Sequence, residues 1–164
     1  MSMKEIRSGL AVFVATLAST LAGCAVTNVK PGTPREEVIA NFGKPTRVVP
    51  LLVGTRLQYS LQPLGRSAVM VDLDANGKVS NAREVLTPGE FLKIVSGTWT
   101  RTDIEREFGP PAMVDQVMSW QGDIMTYRWT DAATDMFFFV YLDPAQVVQR
   151  TGQAMEFRNP DYDL

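Results

Sequence analysis

The sequence predicts an α+β fold of two tandem helix-plus-antiparallel-hairpin repeats that share one antiparallel sheet, with the helices on one face. Three observations predict it. A set of motifs occurs twice at a nearly fixed offset. Each set opens with a capped helix, and each continues with segments whose apolar residues alternate with a period of two.

The duplication is read from Lys30 onward. Gly32-Thr33, Val38, Phe42-Gly43 and Pro45 recur as Gly97-Thr98, Ile104, Phe108-Gly109 and Pro111. Gly54 and Tyr59 then recur as Gly122 and Tyr127, and Leu73-Asp74 as Leu142-Asp143. The offset drifts only from 65 to 69 residues along the chain. This divides the chain into a first repeat, 30–85, and a second, 86–157, followed by an aperiodic tail, 158–164.

The first helix is expected over 34–42. Thr33-Pro34-Arg35-Glu36 offers a capping hydroxyl, a first-turn proline and a glutamate able to reach back. Val38, Ile39 and Phe42 share a face, and Gly43 stops the helix before Pro45. Thr87-Pro88-Gly89-Glu90 opens a further helix to about Val95. Thr100 and Asp103 form the capping box of another, with Ile104 and Phe108 inward and Gly109 as its end.

Strands fill the intervals. Leu57, Tyr59 and Leu61 alternate with Arg56, Gln58 and Ser60, and Val69, Val71 and Leu73 alternate with Met70, Asp72 and Asp74. Asn76-Gly77 supplies a hairpin turn into 78–85. The second copy offers strands over 114–120, 124–129 and 134–143. Asp72-Leu73-Asp74-Ala75-Asn76-Gly77 imitates the start of a calcium loop, but Arg83 stands where a bidentate glutamate is needed, so it reads as a hairpin.

The N-terminus reads as an address. Lys4 and Arg7 precede a largely apolar stretch, Leu10–Leu21, too short for the ~20 residues that span a bilayer. Leu21-Ala22-Gly23-Cys24 follows, which makes 1–23 a lipoprotein signal peptide and Cys24 the lipidated residue. Each buried lipid methylene contributes about 0.8 kcal/mol, so two or more chains hold stably. Residues 24–29 form a short tether. Ala25, by resemblance to proteobacterial lipoproteins, directs sorting to the outer membrane, on its periplasmic side.

Composition bounds the chemistry. The chain has no histidine, one cysteine and a net charge of −2, or −3 beyond residue 23, where Lys4, Glu5 and Arg7 no longer count. No internal disulfide is possible, and a mildly acidic chain lacks the basic face of a nucleic-acid binder. No nucleophile–base pair and no metal-ligand spacing stands out. The expectation is therefore no catalytic residues, no metal, no cofactor and no enzyme activity.

One strand breaks the pattern. Met136-Phe137-Phe138-Phe139-Val140-Tyr141-Leu142 is apolar throughout, where a half-exposed antiparallel strand alternates. Phe138 and Val140 are expected to face the helices. Phe137, Phe139 and Tyr141 would line the other face, joined by Arg128 and Thr126, as a candidate protein-binding surface. That surface is open unless 147–157 folds over it. Trp99, Trp120, Trp129, Tyr59 and Tyr127 read as core residues.

Gly-Thr, a helix, Phe-Gly-x-Pro, a later glycine and a Tyr-bearing strand resemble the SmpA/OmlA (BamE-like) outer-membrane lipoprotein family. Two units in one chain also resemble the tandem β-lactamase inhibitory protein fold. The resemblance implies an envelope scaffold that binds envelope or outer-membrane proteins, touches the membrane through its lipid, and serves outer-membrane protein assembly or envelope integrity. An inhibitor of an envelope hydrolase, or a small-ligand or lipid-binding module, are the alternatives it leaves.

Overall fold

The computed structural model describes residues 29–157. The expected signal peptide, 1–23, with Cys24 and the tail 158–164, lies outside the described residues. The order of elements is α1 (Arg35–Phe42), β1 (Arg47–Pro50), β2 (Thr55–Ser60), β3 (Ala68–Leu73), β4 (Val79–Glu84), α2 (Pro88–Phe91), α3 (Arg101–Phe108), β5 (Met113–Asp115), β6 (Ile124–Asp131), β7 (Thr134–Leu142) and β8 (Val148–Met155). A helix followed by four antiparallel strands therefore occurs twice. The fold is α+β.

The strands do not share one sheet. They form two four-stranded sheets, β1-β2-β3-β4 and β5-β6-β7-β8, each an antiparallel meander. The reason lies in α3, which needs partners on both sides. Its Ile104 and Phe108 join a core with Met125, Tyr127, Trp129, Phe138 and Val140 of the second sheet, and the same core takes Ala68 and Met70 from the first. α1 covers the opposite face of the first sheet, where Val38 packs on Leu57, Val69, Val71 and Leu73. The layers run α1, first sheet, α2 with α3, second sheet. The second half stacks on the first instead of extending it sideways.

The recurring residues have matching jobs. Gly43 and Gly109 end their helices with φ near +80°, and the Tyr59 and Tyr127 hydroxyls donate to their carbonyls at 3.2 and 2.8 Å. A Cβ on Gly54 would stand 1.9 Å from the Leu73 carbonyl oxygen, and one on Gly122 2.0 Å from that of Leu142. Only glycine allows either hairpin to close this tightly. Asp74 and Asp143 each accept from a backbone N–H inside the next turn. Asp72 points elsewhere, to Arg56 and Arg83.

Several local expectations are corrected. Thr33 does not cap α1: its hydroxyl donates to the Lys30 carbonyl, and no side chain caps that helix. The box at Thr100 and Asp103 does form. Thr87 accepts from the Glu90 N–H, but α2 stops at Phe91. The strand expected over 114–120 is only Met113–Asp115, because β6 begins at Ile124, opposite Asp115, and offers no partner beyond it.

Candidate functional site

The outer face of the second sheet is built by β7 and its neighbours. Phe137, Phe139 and Tyr141 lie in a row, with ring centroids 6.0 and 6.4 Å apart. They are half-buried, while Phe138 and Val140 between them are buried against the helices. The segment after residue 147 does not fold over the row. It lies alongside as β8, pairing Ala154 with Phe137, Gly152 with Phe139 and Arg150 with Tyr141. Gly152 leaves the face low beside Phe139. No described element forms a layer over these rings.

The structure separates the other two candidates from the row's exposed surface. Thr126 is paired with Phe139 on one side and Met113 on the other, and is 1% exposed. A short side chain on a central strand sinks between larger neighbours, so Thr126 floors the face and offers nothing to a partner. Arg128 stands opposite Phe137, but its guanidinium is committed. It pairs with Glu156 and donates to the Pro63 carbonyl at 3.2 Å.

That pairing belongs to a joint between the halves. The loop between β2 and β3 reaches across, and the Gln62 amide accepts from Arg128 N–H at 3.2 Å while donating to its carbonyl at 2.6 Å. One side-chain amide thus satisfies a stretch of β6 beyond the end of β5, as a neighbouring strand would. Arg66 bonds Glu156 at 2.8 Å and Asp135 at 3.1 Å. Burial pulls the Glu156 carboxyl up, but hydrogen bonds and charge from Arg128 and Arg66 outweigh it and hold the group below its ordinary range.

Two residues that the sequence did not assign to this face complete it. The Arg150 guanidinium sits 3.7 Å from the Tyr141 ring centroid and 5.2 Å from that of Trp120. Trp120, expected in the core, stands edge-on to Tyr141 at 5.2 Å and donates its indole N–H to the Leu142 carbonyl at 2.8 Å. The signal for Arg150 was available: the 69-residue offset carries β4 onto residues 148–153, which makes that segment a strand.

Neither a protein-family model nor a curated protein matches the chain. Among solved structures it is similar to a DUF4309 family protein, YjgB, from Bacillus subtilis, at 17% identity and a TM-score of 0.32, covering 75% of this chain and 78% of that one.

The face can therefore offer ring surface, one phenol and a cation stacked on it. Those groups suit contact with an apolar surface that carries a few acceptors.

The first sheet has a counterpart face, and it is closed. Arg56, Gln58 and Asp72 lie there beneath α3. Arg56 bonds Asp72 at 2.6 Å and Glu107 at 2.7 Å, and donates to the Arg106 carbonyl. Gln58 donates to the carbonyls of Glu105 and Arg106 at 2.9 and 3.0 Å. These carbonyls lie at the end of α3, where that of Glu105 also takes the Gly109 N–H at 3.0 Å, so the polar row helps cap a neighbouring helix. Burial alone would raise the Asp72 carboxyl. Hydrogen bonds and charge from Arg56 and Arg83 reverse that and leave it below its usual value.

Proposed function

We propose that this chain is a lipid-anchored scaffold of the cell envelope that binds a protein partner through the aromatic outer face of its second sheet. In this reading it is a duplicated relative of the SmpA/OmlA lipoproteins, attached through Cys24 to the outer membrane and facing the periplasm. It acts by contact, without catalysis or cofactor, in outer-membrane protein assembly or envelope integrity. The observation that carries the reading is the row Phe137, Phe139 and Tyr141, half-exposed on a sheet face that no described helix or strand covers, with only Trp120 and Arg150 packed on its Tyr141 end. Contiguous aromatic surface of this kind is where interfaces place most of their binding energy.

Phe139→Ala tests it. The ring is half-buried in the free protein, so its loss should cost roughly 1 kcal/mol of folding stability, read by urea denaturation. Capture of the partner by the full-length chain from solubilised envelopes should fall at least about tenfold, the effect of losing an interface anchor. Capture that is unchanged by this substitution would remove the face from the reading.

A further inference from the structure

The chain, two hairpin ends and the first turn of α3 meet at one end of the molecule. The described chain begins there. Gly32 N–H donates to Val79 O at 2.7 Å, Val79 N–H to Thr33 O at 2.9 Å, and Arg35 N–H to Gly77 O at 3.0 Å, so the incoming segment lies against the β3–β4 turn. The β1–β2 loop closes over the same end, with Gly54 pressed on the Leu73 carbonyl. Its tip carries Leu52, fully exposed, and Val53, 69% exposed.

The second sheet repeats this arrangement. Gly122 presses on the Leu142 carbonyl, and the β5–β6 loop presents Met118, fully exposed, with Val117 beside it. α3 ties the two loops to one side. Arg101 in its first turn pairs with Asp123 at 3.0 Å, while the next residue, Thr102, borders the groove of Val49 and Pro50 that leads to the first tip. Two aliphatic tips thus point outward where the chain comes in.

We propose that the β1–β2 and β5–β6 tips insert into the phospholipid surface, so that the protein stands on its hairpin ends with both sheets upright. The inference rests on the reading of Cys24 as a lipid anchor. Val29 already packs on the core of the first sheet, and an extended chain from residue 24 to residue 29 reaches no further than about 18 Å. The end where the chain comes in is therefore held against the bilayer. Fully exposed aliphatic side chains at that end gain by entering the acyl boundary, as they do on the apolar face of an interfacial helix. Leu64, 84% exposed, is as apolar but lies in the β2–β3 loop at the far end, where it would stay in water. The posture also points the aromatic face sideways along the membrane.

The test uses the full-length chain, acylated in cells and reconstituted into vesicles of phosphatidylethanolamine and phosphatidylglycerol. Leu52→Cys, Met118→Cys and Leu64→Cys each carry an environment-sensitive fluorophore, and aqueous iodide quenches it. The expected result is quenching reduced several-fold at 52 and 118 relative to 64, with blue-shifted emission at both. Equal quenching at the three positions would overturn the insertion. Mass spectrometry of residue 24 separates the two claims. An acylated chain with accessible tips keeps the anchor and loses the insertion, whereas an unacylated chain with protected tips keeps the insertion and loses the anchor.

Discussion

The outer faces of the two sheets occupy matching positions in the two halves and have opposite fates. In the first sheet the face carries polar Arg56, Gln58 and Asp72 beside Ala68 and Met70, and it is buried under α3. In the second the row is aromatic, Phe137, Phe139 and Tyr141, and it is half-exposed. Polarity by itself would predict the reverse. The difference teaches that a helix end laid on a sheet needs donors for its last carbonyls, and that Arg56 and Gln58 supply them. The aromatic row has no helix end to serve, and packs ring against ring with the Arg150 guanidinium stacked on Tyr141.

The comparison can be broken from its strong side first. Arg56→Met removes the donor to the Arg106 carbonyl and leaves Asp72 and Glu107 short of a partner beneath the helix. Losing one member of a buried pair costs about 3–5 kcal/mol, here toward the lower end because Arg83 still reaches both carboxylates, so the urea midpoint should fall steeply. Phe139→Ala, in the matching face, should cost only the roughly 1 kcal/mol already given for a half-buried ring. Similar losses for the two variants would mean that the faces are not energetically distinct.

A smaller effect sharpens the comparison through pH. Asp72 is held below its ordinary value in the folded state, chiefly against burial, by hydrogen bonds from Arg56 and Arg83. In the unfolded chain an aspartate titrates near 3.9. Below that value the unfolded state takes up the proton first, so stability is full above about pH 4 and declines as pH falls through the folded value. Arg56→Met lets the folded value move back up, so the variant should lose less stability between pH 5 and pH 2.5 than the unaltered protein. Urea titrations at the two pH values give the comparison, and parallel losses would contradict it.

How much of this was legible in the sequence depends on whether a residue's job is local. The Thr100–Asp103 box, the helix-ending Gly43 and Gly109, and the Asn76-Gly77 turn act within a few residues of themselves, and each is where the pattern put it. The inward turn of Phe138 and Val140 followed from the duplication, which sets Leu142 on the inward Leu73. What failed was long-range. Ala68 and Met70 alternate with Val69 and Val71 as an outward row would, yet they are buried because α3, some 35 residues later, lies on them. Thr126 was correctly placed on the aromatic face but not in its depth, which Met113 and Phe139 set from separate strands. β1 and β8 are short or polar, with no apolar alternation to mark them. For β8 only the repeat offset held the information, and with it the place of Arg150.

The central claim is that the aromatic face is the surface that meets another protein. Site-specific photocrosslinking in living cells tests it most directly, with a photoreactive side chain at position 139 and a control at Asn41, exposed on α1 in the outermost layer on the other side. The account predicts a discrete protein adduct from 139 and none from 41. No adduct from 139, or the same adduct from both positions, would contradict it.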